Sequence, residues 1–456
     1  MFSIDEILKA TQGKLLQGNP QGTVKGVSID SRAIKTNDLF IAIKGEKHDA
    51  HDFIAKVVRQ GVSVLLVHRP VKVNNRKVTV IQVKDTTRAL GHLARFHRLR
   101  FDIPVVGITG SAGKTTTKEM IAAVLKKKYN VLANEGTQNN HIGVPLTLFK
   151  LRRAHKVAVI EMGTNQPGDI AWLAETACPT IAVLTNIGES HLEKLKTLEG
   201  VYREKMHLAK FVSSDGYVIF NKDDIYLTDV PGERLRGRVI SYAVKTKADY
   251  SAVDVRVNAS LGLNFKTGKK PYFLQTFSAD MAYNALAAVA CARILDVSVK
   301  DIQNAFKGFR FQRGRQEILK KHGLMIINDS YNANPVSMRS AVATLDAFPA
   351  EGKRILICAD MLELGWRSKE LHQKVGECVA ASKVDVLMTL GDQARWILEK
   401  AHQKNRRLVA VHFNELEALK NYLSVLCGKG DVVLVKGSRR MSMENVVDFL
   451  VNKLRN

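Results

Sequence analysis

The segment Thr109-Gly110-Ser111-Ala112-Gly113-Lys114-Thr115-Thr116-Thr117 carries the strongest chemical signal in the chain. It follows an apolar run, Val105-Val106-Gly107-Ile108, and precedes a helical pattern. Glycines in such a loop let backbone N–H groups close around phosphate oxygens, and the helix N-terminus adds a favourable dipole. Lys114 is then placed to reach the β- and γ-phosphates of a nucleotide, and the Thr115 hydroxyl to sit on Mg²⁺. The full phosphate-loop pattern has glycine at 108, where this chain has Ile108, so the match is to a shorter Thr-Gly-x-x-Gly-Lys-Thr-Thr variant. A Gly-rich turn that only caps a helix is the weaker reading, because strand, loop, Lys-Thr and helix occur in the required order.

Two more polar groups follow apolar runs. Val157-Ala158-Val159-Ile160 leads into Glu161-Met162-Gly163. A carboxylate at the carboxyl end of a buried strand lies where doubly wound sheets bind ligands, and Mg²⁺ prefers oxygen donors of this kind. Taken alone, Glu161 reads equally well as a residue that merely ends a strand. Ile181-Ala182-Val183-Leu184 leads into Thr185-Asn186-Ile187-Gly188-Glu189-Ser190-His191-Leu192, with Lys205 fourteen residues beyond the histidine. A lone histidine is more often a satisfied surface or core residue, and a lone lysine a solvated one.

Together, the shortened phosphate loop, Glu161, and His191 with Lys205 at that spacing resemble the central domain of the Mur ligase family of ATP-dependent amide-bond ligases. The resemblance implies that Lys205 is carbamylated by CO₂. An ammonium beside Mg²⁺ would be repelled, whereas a carbamate reverses the charge and supplies oxygen ligands; in a low-dielectric cleft that change is worth several kcal/mol. The implied metal-binding group is Thr115, Glu161, His191 and carbamylated Lys205. Two Mg²⁺ ions are implied, and which ion each residue contacts stays open. The implied catalytic set is Lys114, Glu161, His191 and Lys205. The implied ATP contacts are Gly110, Ser111, Ala112, Gly113, Lys114, Thr115 and Thr116, with Asn284, Arg315 and Asp329.

The resemblance covers almost the whole chain. Asp329-Ser330-Tyr331-Asn332-Ala333-Asn334-Pro335-Val336-Ser337 is similar to the signature of the family's D-alanyl-D-alanine-adding branch. Asn139-Asn140-His141-Ile142-Gly143-Val144-Pro145, Asp360-Met361-Leu362-Glu363-Leu364-Gly365 and Val435-Lys436-Gly437-Ser438-Arg439 are similar to further segments of that branch. Asn332, Asn334, Lys436 and Arg439 are the implied substrate contacts in the last third of the chain. Asp30-Ser31-Arg32, Lys44-Gly45-Glu46 and His51-Asp52-Phe53 resemble the family's uridine-nucleotide-binding region, with Ser31 and Arg32 as substrate contacts. Ala50 and Ala359 stand where glycines are usual, and an added methyl group would shift the substrate if either glycine serves close backbone approach. The implied partners are UDP-N-acetylmuramoyl-tripeptide and D-alanyl-D-alanine, joined through an acyl phosphate in peptidoglycan precursor synthesis. A sibling ligase of the same superfamily, with shared ATP chemistry and a different acceptor, is the second reading. A nucleic-acid-stimulated ATPase is the third.

These residues need elements to position them. The 456 residues exceed one core, since domains usually run to about 100–200 residues. Region 1–100 has short apolar runs between turn signals and ends in a basic helical stretch, 87–100. Phe101-Asp102-Ile103-Pro104 reads as a linker, because the residue before proline is pushed out of helix. Region 101–312 carries the phosphate loop and the strands at 105, 157 and 181. Region 313–456 alternates strand candidates at 324–328, 354–358, 384–389, 408–413 and 431–435 with amphipathic stretches at 368–381 and 415–426. That alternation implies parallel pairing. The expected fold is α/β in three domains: a smaller N-terminal α/β domain, a central P-loop ATPase-type parallel sheet and a C-terminal doubly wound, Rossmann-like sheet.

The formal net charge of +25 suits a polyanionic substrate. Its lysines and arginines are dispersed and lack the aromatic interleaving of a nucleic-acid platform, so no nucleic-acid partner is expected. Five scattered cysteines with no Cys-x-x-Cys pair argue against a disulfide framework or zinc site and fit a reducing cytoplasm. No apolar run approaches the roughly 20 residues that span a bilayer, and the N-terminal residues do not read as a signal peptide. A cytoplasmic monomer is expected.

Overall fold

The computed structural model describes residues 1–228, 230, 233–258 and 262–452. The apolar runs become the strands of three larger sheets, and Phe2–Ser3 pairs with Thr23–Val24 in a small two-stranded one. The first has five strands in the order Lys14–Gln17, Thr79–Gln82, Val64–Val67, Asp38–Ile41 and Gly26–Ser28. All its pairings are parallel except that of Lys14–Gln17 with Thr79–Gln82. The third has six strands, Glu317–Lys321, Leu324–Asp329, Val432–Lys436, Arg354–Ala359, Val386–Leu390 and Val409–Phe413, antiparallel only at its first edge pair. Among the described residues, no helix is long and apolar enough to cross a membrane.

The central sheet positions the chemistry. Val105–Thr109, buried at every residue, lies between Val157–Glu161 and Ile181–Leu184, all three parallel. Their registers set Glu161 opposite Ile108 and Leu184 opposite Thr109, so the three carboxyl ends finish side by side. The phosphate loop, Glu161 and the 185–191 loop therefore emerge at one edge, the usual ligand side of such a sheet.

The expectation of a parallel central sheet holds only for part of it. Beyond Arg238–Ala243 the chain adds Tyr250–Asn258, Gly262–Thr267 and Lys270–Leu274, and the last three pair antiparallel among themselves. Here buried and exposed positions mix within each strand. A sheet with one solvated face can be antiparallel, whereas parallel strands need cover on both faces. The buried face includes Leu263, Phe265, Tyr272 and Leu274, in one core with the helix Met281–Ile294. That helix packs on the phosphate-loop helix Lys114–Leu125 and is buried nearly all round with alanines, which permits the close approach.

The first and second units are fastened by buried polar contacts. Arg98, at the end of the helix Thr86–Arg98, is 5 % exposed and donates to the carbonyls of Ala177, Phe101 and Ile103. Trp172 fills the space over Gly91, where an added Cβ would sit 2.2 Å from the indole. Replacing Arg98 with Met keeps the bulk and leaves one buried and two partly buried acceptors without their donor. Arg98→Met is expected to cost about 2–4 kcal/mol of stability, read as a lower urea midpoint by tryptophan fluorescence. An unchanged midpoint would show that this guanidinium does not anchor the linker.

Candidate active site

The phosphate loop is shaped by contacts with the next loop of the same sheet. Asn186 accepts the Ser111 amide at its carbonyl (2.9 Å) and the Ala112 amide at Oδ1 (2.8 Å), while the Thr185 hydroxyl donates to the Ala112 carbonyl (2.7 Å). Gly110 is required by this closeness, since a Cβ there would lie 1.8 Å from Thr185 Oγ1. Gly113, at φ +78°, ends the loop as N-cap of the helix Lys114–Leu125, which no side chain caps. Its first amides are therefore free to hold an anion. Lys114 Nζ donates to the Gly110 carbonyl at 2.7 Å and folds back over the loop.

Glu161 meets this loop. Its two oxygens accept from the Thr115 hydroxyl and from Asn139 Nδ2, each at 2.7 Å. Asn134 extends the strand by pairing with the Glu161 backbone on both sides, at 2.9 and 3.1 Å. The fully buried Lys118 in turn donates to the Asn134 carbonyl at 2.7 Å. A hydroxyl and a carboxylate in contact are the hard oxygen donors that Mg²⁺ takes.

Lys205 projects from the buried side of the helix Leu198–Lys210 and is 1 % exposed. Burial pushes its pKa well below the ordinary lysine value, and the nearby Lys114 pushes it the same way. The adjacent acid, Glu204, only partly opposes this. Its oxygens are committed to the amides of Gly168 and Ile170, capping the helix Asp169–Ala177. The amine of Lys205 is thus held toward its neutral, nucleophilic form. His191 is also shifted below the ordinary histidine value by burial, against the pull of Glu363 and with the help of Lys114 and Lys205.

A cavity of about 810 Å³ gathers residues of the second and third units. From the phosphate-loop side come Ser111, Ala112, Gly113, Lys114, Thr115 and Thr116, with Glu161, His191 and Asn284. Across it stand Arg315, Asp329, Asn332, Asn334, Lys436 and Arg439. Asn334 Nδ2 donates to the Ser111 carbonyl at 3.1 Å, tying the third unit to the loop. Lys436 pairs with Asp329, and the Arg315 guanidinium lies 4.0 Å over the Tyr331 ring. Gly110 and Lys205 are not among the residues that line it, although Lys205 is near enough to Lys114 and His191 to act on them electrostatically. Ser31 and Arg32 are elsewhere, in the first unit, where Arg32 is exposed and paired with Asp30 at 2.8 Å.

Sequence reasoning singled out neither Asn139 and Asn186 nor Glu363 as site residues, although all three lie in segments it quoted. Glu363 Oε2 takes the Nδ1 hydrogen of His191 at 2.7 Å. No local pattern marks such partners. In the first unit, Asp49, His51 and His68 bring potential metal-ligand atoms within 4.8 Å of one another. Both His51 nitrogens are already engaged there, Nδ1 by Asp49 and Nε2 by the His68 amide.

Comparison with known proteins accounts for each unit. Residues 23–98 match the Mur ligase family catalytic domain, 108–292 the Mur ligase middle domain and 314–439 the Mur ligase glutamate ligase domain. The UDP-N-acetylmuramoyl-tripeptide–D-alanyl-D-alanine ligase of Bacillus subtilis is 34% identical over 455 residues, covering 98% of both chains. A crystal structure of MurF from Acinetobacter baumannii superposes at TM-score 0.91 with 30% identity over 99% of both chains. MurF from Thermotoga maritima, solved with ADP, superposes at TM-score 0.84 with 29% identity over 94% of this chain and 98% of that one. The chain belongs to the Mur ligase family.

Proposed function

We infer that this chain is an ATP-dependent ligase that joins D-alanyl-D-alanine to UDP-N-acetylmuramoyl-tripeptide, giving the pentapeptide precursor of peptidoglycan, ADP and phosphate. One observation carries this reading: the end-to-end similarity to a ligase of that activity, 34% identical over 98% of both chains. The cavity supplies fitting chemistry. A carboxylate at neutral pH has no adequate leaving group, so the tripeptide's terminal carboxylate first takes the γ-phosphoryl of ATP. The amine of D-alanyl-D-alanine then attacks the acyl phosphate.

The protein's part is placement and charge. The uncapped helix amides and the 110–116 loop hold the phosphates, and Lys114 neutralises charge that grows on the transferred phosphoryl group. Asn284, Arg315 and Asp329 hold the nucleotide; Asn332, Asn334, Lys436 and Arg439 hold the peptide end. Residues 1–100, through Ser31 and Arg32, take the uridine nucleotide, 101–312 take ATP, and 313–456 close over both. The donor set fits Mg²⁺ once the ammonium of Lys205 is exchanged for a carbamate. Held by Thr115, Glu161, His191 and that carbamate, Mg²⁺ ions would lower the negative charge of the phosphates. The reading is of a monomer acting in the cytoplasm, where the UDP-linked precursor would be made. The positive net charge favours encounter with a substrate bearing a diphosphate and carboxylates.

The test is phosphate release from ATP and Mg²⁺ with the UDP-linked tripeptide, with and without D-alanyl-D-alanine. Release that requires both, with a UDP-linked pentapeptide by mass spectrometry, is the expected result. Release driven by another amine acceptor would assign the chain to a sibling ligase.

A further inference from the structure

We propose that Glu363, in the third unit, is a positioning residue for His191, so that docking of the third unit on the central one sets the imidazole for its task. The inference rests on the reading of His191 as a ligand at the phosphate cleft. Four features carry it.

Glu363 Oε2 lies 2.7 Å from His191 Nδ1. A carboxylate can only accept, so Nδ1 bears the hydrogen, and in the neutral ring Nε2 keeps its lone pair. Among the described residues Nε2 takes no hydrogen bond, and His191 is one of the residues lining the cavity. The same residue is gripped by its backbone as well, since the Glu193 amide donates to the Glu363 carbonyl at 3.1 Å.

The backbone on both sides is unusual. His191 has φ 54° and Glu363 φ 66°, each in the left-handed region that non-glycine residues seldom occupy. Such conformations persist where the surroundings over-determine them, and they concentrate at functional contacts. Gly365, at φ +60°, completes the fit: a Cβ there would lie 3.2 Å from the Glu193 Cα. The contact is also separate from the Asn334–Ser111 bond and from the Arg339–Glu189 ion pair, which tie the third unit to the phosphate-loop side elsewhere.

The consequence is a coupling. With the third unit docked, His191 is held in one tautomer and one orientation. With it undocked, Glu363 is withdrawn and the ring reverts to the Nε2–H form that neutral histidine favours in water. The lone pair needed at the cleft is then no longer presented. A partner one step behind a metal ligand fixes tautomer and ring orientation in this way, and its loss typically costs about 10–100-fold in metal affinity or activity.

The experiment compares full-length wild type with Glu363→Ala and Glu363→Gln. Long-range ¹H–¹⁵N spectra of ligand-free, histidine-labelled protein, with His191→Gln to assign the signals, report the tautomer without any turnover. Glu363→Ala is expected to move His191 toward Nε2–H, and Glu363→Gln, whose carbonyl still accepts from Nδ1, to leave it in place. In turnover, Glu363→Ala is expected to raise the Mg²⁺ concentration for half-maximal rate by about 10–100-fold, with the KM for the UDP-linked tripeptide unchanged, and Glu363→Gln to restore most of the loss. An unmoved tautomer in Glu363→Ala, or a Gln variant as impaired as the Ala variant, overturns the inference. Failure of wild type itself to make the pentapeptide would instead overturn the functional reading.

Discussion

Lys205→Ala is expected to lower turnover by about 10²–10³-fold, the size typical of losing one preorganised charge partner. That is about 3–4 kcal/mol of transition-state stabilisation. The argument starts from burial. An ammonium that is 1 % exposed, near Lys114, and beside an acid already engaged in helix capping is held toward the free amine. A free amine adds CO₂ at its nitrogen and releases one proton to solvent, and the carbamate so formed carries the negative charge that a cation site needs. Formate or acetate should restore part of the rate in Lys205→Ala by supplying carboxylate oxygens to the emptied space. Independently of rate, ¹³C-bicarbonate should give a carbamate carbon signal in wild type that Lys205→Ala lacks. Near-wild-type turnover in the variant, without rescue, would sink the carbamate.

Lys114→Met should cost about 10³-fold in kcat/KM for ATP while leaving the fold intact. Methionine keeps most of the stem and removes only the charge. Burial holds the Lys114 pKa below the ordinary lysine value, against the pull of Glu161 and with Arg315 acting the same way as burial, so the fold itself does not favour the ammonium there. Its loss should therefore not lower the thermal midpoint. The effect should fall on phosphoryl transfer, where charge develops, and much less on binding of the UDP-linked tripeptide. Because Lys114 also depresses Lys205, the same variant should raise the Lys205 pKa and weaken its ¹³C-carbamate signal at a given pH. The two substitutions should consequently be non-additive, as expected for charges that share a site. A drop in ATP turnover below about tenfold would remove Lys114 from the phosphoryl-transfer step.

The two loops that converge on Lys114 explain why these effects are large. Asn186 holds two phosphate-loop amides, Asn139 and Thr115 hold Glu161, and Asn334 reaches the Ser111 carbonyl from the third unit. Glu161 and Lys114 thus have their positions set by neutral hydrogen-bonding partners. Removing a charge then leaves the scaffold in place, and the measured loss reports electrostatics.

The sequence by itself determined the local elements and the chemistry written along them. Continuous apolar runs at 105, 157 and 181 read as buried-strand candidates, and Gly-rich or carboxylate ends after such strands mark a ligand edge. The buried face of the helix Leu198–Lys210 is also periodic, because Val201, Glu204, Lys205 and Leu208 recur at helical spacing. What it did not contain was the sharing of work between Glu204 and Lys205, neighbours of opposite charge. Only the placement of the helix Asp169–Ala177 turned the acid into a cap and, among the described residues, left the lysine without a hydrogen-bond partner. The antiparallel strands at 250–274 escaped notice because short, half-exposed strands have weak periodicity and depend on the helix that covers them. The His191–Glu363 contact joins residues 172 positions apart, and no spacing rule reaches that far. Local order follows from short-range sterics and periodicity, which the chain carries with it. The pairing of charges across the cleft follows from how three cores pack, and that was decided only in the folded molecule.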